Sequence, residues 1–341
     1  MAMSERIDDS VKRRETARLA FGPVPSRRLG RSIGINHIPP KACTYSCVYC
    51  QLGRTDRMRT ERARFYGADE VIRAVEERIR RAEAAGESVD ALTFVPDGEP
   101  TLDADLGAMI AAVGGLGPRV AVITNASLMG DPDVRADVAA ADWVSVKVDA
   151  VTEATWRRID RPAGGLRLDR ILEGILRFSE AFEGTLVTET MLVAGRNDGS
   201  EDVGTVAAFL SDVKPSVAYI SAPTRPPAEA SVRAPAPATM VRAFDQISRR
   251  VERAEYLVAY EGNQFAWSGG AEEELLGTTA VHPMREDAVR VLLRHAGADW
   301  SVVQRLIDDE LVLELVHEGH RYLVRNLPGR AAHRSGSEAH G

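Results

Sequence analysis

"DWVSVKVDA", residues 142–150, alternates Val144, Val146 and Val148 with Ser145, Lys147 and Asp149. Strict alternation is the pattern of a strand with two unlike faces. The valine face should meet helices, and the polar face should line an interior space. A lysine buried unpaired among aliphatic side chains would cost several kcal/mol. Lys147 is therefore expected in a polar lumen, with Asp149 or Glu189 as its partner.

Outward from this stretch the chain alternates strand-like and helix-like segments. Strands are expected at 31–36, 90–98, 119–127, 184–195 and 216–223, besides 142–150. Helices are expected between them. In 68–84, for example, Val71, Ile72, Val75 and Ile79 recur at helical spacing. Such alternation predicts parallel strands covered by helices. A closed eightfold barrel takes about 250 residues, and the alternation spans only about 190. The expected fold is α/β, an open, partial (βα)6 TIM-like barrel, with a flat doubly wound sheet as the alternative.

Residues 1–19 are polar and expected to be flexible, and 20–225 form the barrel. A Pro- and Ala-rich stretch opens a linker and barrel extension over 226–279, in which a helix (239–254) precedes the strand "EYLVAY". Residues 280–327 then run helix, turn, helix and two strands about a Gly turn, a winged-helix-like pattern. Residues 328–341 read as a disordered tail.

The 341 residues are 44% hydrophobic and 27% charged, as in an ordinary globular protein. No apolar run of about 18 residues exists to span a membrane, and the charged N-terminus lacks the apolar core of a secretory signal. A cytoplasmic location is expected. The net charge of −7 argues against broad nucleic-acid binding. In 280–326, six Arg face eight acidic residues, and the second helix ends in Asp308, Asp309 and Glu310. DNA binding through the winged helix is therefore not expected. Lysine is scarce: Lys12, Lys41, Lys147 and Lys214 stand against 39 Arg, so each lysine's placement matters.

All three cysteines, Cys43, Cys47 and Cys50, lie in "KACTYSCVYCQLG" (41–53). A structural disulfide does not suit an odd count in a cytoplasmic chain. A Cys₃His zinc site with His37 is one reading, though zinc knuckles usually pair their cysteines. The other is an iron–sulfur cluster, for which four thiolates are normal. Three thiolates leave one iron of a four-iron cube open to a ligand that can accept an electron, and S-adenosylmethionine (SAM) is the obvious partner.

The Cys-x₃-Cys-x₂-Cys spacing, with the aromatic Tyr49 before the last cysteine, follows the first strand and resembles the signature of the radical SAM superfamily. The resemblance covers roughly residues 20–225. It implies a [4Fe–4S] cluster on Cys43, Cys47 and Cys50, with no fourth cysteine for a second cluster. It also implies SAM near Tyr49, reductive cleavage to a 5′-deoxyadenosyl radical, and an external electron donor of flavodoxin or ferredoxin type. "DGEPTL" (97–102) stands where the family carries a Gly-Gly-Glu-like motif. Asp97 replaces the first Gly, while Gly98, Glu99 and Pro100 match a common variant that holds the SAM amine. Asn125 sits at a strand tip, where barrel enzymes place working residues. By resemblance, the strand of Lys147 and Asp149 meets the SAM ribose.

Glu189 breaks an apolar strand, and Asn197 follows in the loop above it; both are site residues in this reading. Lys147 and Glu189 are the catalytic candidates. Arg225 is placed to clamp an anion. "FGPVPSRRLGRSIGIN", with Arg27 and Arg28 as substrate contacts, resembles a branch distantly related to the tRNA wybutosine-synthesis radical SAM enzyme. That enzyme holds pyruvate through a lysine, and Lys147 is an available amine. The expected activity is hydrogen abstraction from an unidentified substrate, a tRNA base or a small molecule. The alternative is an iron–sulfur redox-sensing regulator acting through the winged helix.

Overall fold

In the computed structural model, residues 19–55, 57–257, 270–281, 283–317 and 319–326 are described. The readings of 1–19 as flexible and of 328–341 as a tail lie outside them, except for Leu19, which is buried in the core. The strands expected from alternation form. In chain order the strands run β1 (Ala20–Ser26), β2 (Gly30–Ile35), the two-residue β3 (Ala42–Cys43) and β4 (Arg57–Met58), then β5 (Ala91–Phe94) and β6 (Arg119–Thr124). They continue with β7 (Trp143–Lys147), β8 (Thr185–Met191), β9 (Val217–Ser221) and β10 (Ala254–Leu257). The helices between them are α1 (Ala68–Ala84), α2 (Leu106–Gly114), α3 (Pro132–Val138), α4 (Glu153–Ile159), α5 (Leu168–Ala181), α6 (Ser200–Val213) and α7 (Pro237–Ser248).

The main sheet is ordered β1-β2-β5-β6-β7-β8-β9-β10. From β2 to β10 every neighbouring pair is parallel. Only β1 runs antiparallel, hairpinned onto β2. To the six strands of the βα alternation and the strand expected at "EYLVAY", the sheet adds β1. Pro23 and Pro25 hide β1 in the sequence, yet proline is tolerated on an edge strand, whose outer N–H groups need no partner. At the opposite edge, β10 is the start of "EYLVAY".

Val144, Val146 and Val148 join the helix-facing core with Met109, Ile175 and Leu210. The other face packs a smaller cluster of strand residues, including Ala121, Trp143, Val187 and Tyr219, capped by Leu29 from the β1–β2 turn. A flat doubly wound sheet carries helices on both faces. Here residues from β1 through β10 line one cavity on the second face.

A separate small core follows. It is built from α8 (Ala271–Val281), β11 (Met284–Arg285), α9 (Glu286–His295), α10 (Ser301–Asp308), β12 (Val312–His317) and β13 (His320–Arg325). Two successive helices and an antiparallel hairpin match the expected element order; α8 precedes them and was not anticipated. The module is bolted to the sheet layer. Arg78 on α1 pairs with Glu274 on α8 at 2.6 Å, both almost fully buried. Tyr322 on β13 donates to the Thr224 carbonyl at 3.0 Å. Among the described residues, no helix is long and apolar enough to cross a membrane.

Candidate active site

The cysteine loop is held between two other loops, chiefly by backbone. On one side the Lys41 N–H donates to the Asp97 carbonyl (2.8 Å), and the Glu99 N–H donates to the Ala42 carbonyl (3.1 Å). This contact demands Gly98, because a Cβ there would stand 1.9 Å from the Ala42 oxygen. On the other side Ser46 N–H donates to the Asp160 carbonyl (3.0 Å), Val48 N–H to Ile159 (2.9 Å) and Ala163 N–H to Thr44 (2.8 Å). Trp156 on α4 adds an indole hydrogen bond to the Tyr45 hydroxyl (3.0 Å). Lys41, with φ of +66°, is buried and closes the loop by donating from Nζ to the Gly53 carbonyl at 2.5 Å.

So held, Cys43, Cys47 and Cys50 are free, half-buried thiols on the wall of a cavity of about 390 Å³. Among the described residues no trio of His, Cys, Asp or Glu stands close enough to share one metal ion. A single zinc gathers its donors around a point. A four-iron cube spreads its thiolates over separate corners. His37, the proposed fourth zinc ligand, is buried edge-on to Phe94 and bonded to the Pro100 carbonyl (3.3 Å). Burial pushes its imidazole down to about 4. With His37 buried and so committed, the zinc reading lacks its fourth ligand. Burial and then Glu99 push the Cys43 thiol up to about 12, and burial with Asp160 raises Cys47. Such thiols ionise when metal charge compensates them. The three residues fit a cluster.

Beside them Glu99 is buried and saturated with donors. Its Oε1 accepts from Thr101 N (3.1 Å), Thr101 Oγ1 (2.6 Å) and Thr124 Oγ1 (2.5 Å), and its Oε2 accepts from Asn125 N (2.8 Å). Asn125 also reaches the cysteine loop, donating from Nδ2 to Thr44 Oγ1 at 2.8 Å. Gly98, Glu99, Asn125 and Tyr49 all line the cavity. Pro100, Asp149 and Asn197 do not. Pro100 opens a short 3₁₀ turn. Asp149 stands behind Tyr49, accepting its hydroxyl hydrogen bond and the Met191 N–H. Asn197 spends its amide on the backbone of Val193, Asp149 and Met191. These last two brace the wall. Asp97, in place of the family's first Gly, locks the loop to the end of β2 through paired hydrogen bonds with Asn36.

Deeper in, the expected Lys147–Glu189 partnership is replaced. Glu189 Oε2 accepts from Arg28 Nη1 at 2.7 Å, and its Oε1 accepts from Ser221 Oγ at 3.1 Å. Arg28 rises from the β1–β2 turn, 5.8 Å from the ring centroids of both Trp143 and Tyr219. Burial alone would raise the Glu189 carboxyl, but Arg28 and Lys147 overcome it and hold it at about 2. Lys147 Nζ lies 4.9 Å from the Tyr49 ring centroid. Burial opposes its charge, yet Asp149 and then Glu189 outweigh that and keep it protonated. Arg27 is exposed at the cavity's edge. Arg225, also on the wall, donates to Gln51 at 2.8 Å, next to Cys50.

Sequence reasoning missed Asp160, a buried carboxyl 3.4 Å from both Cys47 Sγ and the Tyr49 hydroxyl. It sits at the C-terminal end of α4, and no periodic pattern marks it.

Residues 38–210 match the family model of the radical SAM superfamily. The chain is 39% identical over 315 residues to a UPF0026 protein of Methanocaldococcus jannaschii, covering 92% of this chain and 97% of that one. Among solved structures it is similar to a radical SAM methyltransferase from Sphaerobacter thermophilus, with a TM-score of 0.52 at 15% identity over 67% of each chain; this likeness is one of fold alone. Archaeal TYW1 aligns over 65% of this chain and 72% of its own at 15% identity, with a TM-score of 0.44. With a family model spanning half its length and a homologue matching nearly end to end, this chain belongs to the radical SAM superfamily, as an enzyme whose cofactors are a [4Fe–4S] cluster and SAM.

Proposed function

We propose that Cys43, Cys47 and Cys50 hold the cluster at the open end of a partial barrel of six βα units. Gly98, Glu99, Asn125 and Tyr49 then receive SAM, and the substrate lies in the lumen toward Lys147 and Glu189. The observation that carries this reading is the convergence of three free thiols and the 97–99 loop on one cavity whose inner wall is polar. When bound, the cluster supplies the electron that cleaves SAM reductively to a 5′-deoxyadenosyl radical, which abstracts hydrogen from the substrate.

The chain's own residues do the positioning. Glu99, gripped by four donors, offers a fixed carboxylate edge to an ammonium group. Gly98 lets the 97–99 backbone approach the cysteine loop and brings its free strand-end groups within reach of a ligand. Tyr49, tied to Asp149, forms a rigid aromatic wall between loop and lumen. The substrate is a small polar molecule or a single nucleotide base, in keeping with a cavity of about 390 Å³. An external flavodoxin- or ferredoxin-type protein supplies the electron in the cytoplasm. The winged-helix-like module serves the barrel rather than DNA. Its buried Arg78–Glu274 bolt and the exposed Asp308, Asp309 and Glu310 at the end of α10 support that reading.

The test is anaerobic reconstitution with iron and sulfide, followed by reductant and SAM. Formation of 5′-deoxyadenosine is expected. A protein with a spectroscopically intact cluster that forms none is not this enzyme. Comparing tRNA nucleosides from cells with and without the gene tests the base as substrate, and unchanged nucleosides remove it.

A further inference from the structure

Lysine is scarce in this chain, four against 39 Arg, and one of the four is buried at the closure of the cysteine loop. Lys41 is 3% exposed and stands off the cavity wall. Its backbone is left-handed, with φ of +66°, a conformation uncommon for a residue with a side chain and held at some cost. Its N–H donates to the Asp97 carbonyl at 2.8 Å, and its Nζ donates to the Gly53 carbonyl at 2.5 Å. The Gly53 N–H in turn donates to the Cys50 carbonyl at 3.1 Å. The ammonium thus sits where the first residue of the loop meets the last, with the three cysteines strung between them. Its charge reaches Cys43 and the Asp97 carboxyl. Acids press on the same thiols: Glu99 on Cys43, and Asp160 and Asp149 on Cys47. Lys147 opposes them at Cys47 from the lumen side, and Lys41 opposes them at Cys43 from within the loop. Tying one carbonyl takes only a neutral donor, and burying a charge costs far more than burying a neutral group. What the charge adds is a positive field at the cysteines.

Resting on the enzyme reading above, we infer that Lys41 is a positioning residue for electron transfer, whose buried ammonium raises the reduction potential of the cluster held by Cys43, Cys47 and Cys50. Three thiolates outweigh the charge of a four-iron core. The electron taken from the external donor adds one more negative charge, in a region that already carries Glu99 and Asp160. Cluster potentials follow net charge, hydrogen bonds to the sulfurs and exposure, and a fixed cation nearby favours the reduced form over the oxidised one. Lysine suits the place. It is a compact point charge on a slender stem, whereas the broad fork of Arg presents more donors than one loop carbonyl can accept. Because Lys41 lines no part of the cavity, it acts on the reaction only through the cluster.

The experiment uses the full chain with its cluster reconstituted, in the absence of SAM and substrate. The reduced cluster is followed by electron paramagnetic resonance as the potential is lowered. Lys41→Gln keeps a donor for the Gly53 carbonyl and removes the charge. At the wild-type midpoint its ratio of reduced to oxidised cluster should fall about tenfold, a downward shift of about 59 mV. Lys41→Arg keeps the charge and should stay within about twofold of the wild-type ratio. A lysine that merely clamped the loop would lower cluster occupancy in Lys41→Gln without moving the midpoint of the clusters that form. Should Lys41→Gln hold no cluster, Lys41→Gly takes its place. Glycine suits the left-handed backbone and vacates the side-chain space. Butylammonium should then restore the wild-type potential, and butanol, similar in shape but uncharged, should not. The inference is overturned if the neutral variants titrate at the wild-type midpoint, if butanol restores the potential as well as butylammonium does, or if no neutral variant holds a cluster, since Lys41 would then be a clamp. The potential is read without SAM, so the two readings fail separately. A protein that forms 5′-deoxyadenosine while its neutral variants stay unshifted loses only this inference. One that shows the shift and forms no 5′-deoxyadenosine loses the radical reading instead.

Discussion

The rim and the inner wall of one cavity are built in opposite ways. The rim, residues 41–53 with 97–99 and 159–163, is joined mainly by backbone N–H···O=C contacts and by a glycine that permits close approach. The inner wall is an arrangement of charges, with Arg28, Glu189 and Lys147 carried on three different segments. Backbone docking depends on loop length and on where glycine falls, so it leaves a spacing motif in the sequence. Charge pairing depends on which side chains meet after folding, and it leaves none.

The most severe break of the rim is chemical. Cys47→Ala should abolish both cluster absorbance and 5′-deoxyadenosine formation; turnover that survives this change would overturn the ligand assignment. Next comes Gly98→Ala, whose new Cβ would meet the Ala42 backbone oxygen at 1.9 Å. Backbone cannot rotate away as a side chain does, so the cysteine loop must shift, at a cost of about 1–3 kcal/mol. A fall in unfolding temperature and a loss of cluster occupancy are expected. Gly164→Ala is the matched control. It has nothing within 4 Å and should change stability by less than about 0.5 kcal/mol. Equal behaviour of the two variants would show that the rim does not rest on close backbone approach.

The same contrast accounts for what could be foreseen. Alternation in "DWVSVKVDA" gave the two faces of β7 correctly, and the parallel strands followed from the βα rhythm. β1 was hidden by Pro23 and Pro25, and α4 by its brevity, only Glu153–Ile159. Cys43, Cys47, Cys50, Tyr49, Gly98, Glu99 and Asn125 were legible because each lies in a short motif at a strand end, and the fold brings them together. Asp149 and Asn197 lie behind the wall, since a strand tip or loop position does not say which way a side chain turns. Arg28 was foreseen only as a substrate contact. That it intercepts Glu189 required knowing that the β1–β2 turn tucks beneath the sheet. Asp160 became visible only once residues 159–163 were docked under Cys47.

Two buried carboxylates, one from each region, sharpen the comparison through pH. Glu189 on the inner wall has its pKa lowered from 4.5 to about 2, because Arg28 and Lys147 overcome burial. Its contribution to stability is present above about 4.5 and is lost as pH falls toward about 2, an effect of roughly 3 kcal/mol. Glu189→Gln should flatten that acid limb in denaturant titrations. It should also cost about 2 kcal/mol near neutrality by leaving Arg28 without its counter-charge. A variant that keeps the acid limb would mean that Glu189 is not the group holding Arg28.

Asp97 on the rim has the opposite sign. Burial raises its carboxyl from 3.8 to about 6, against the lowering effect of Asn36. The protonated form suits the fold, so its contribution is complete below about 3.8 and is lost as pH rises through about 6. Asp97→Asn retains an acceptor for Asn36 Nδ2 and carries no charge. It should therefore remove the cost of ionisation and stabilise the protein by about 1 kcal/mol at neutral pH. The informative quantity is the difference between wild-type and variant stability across pH 4–7, because Asp103, also raised to about 6, titrates in both proteins and cancels. A difference that grows with pH locates the cost at the Asn36–Asp97 contact. A flat difference would mean that Asp97 ionises freely in the fold, and the lock between β2 and the 97–99 loop would then rest on its backbone hydrogen bonds alone.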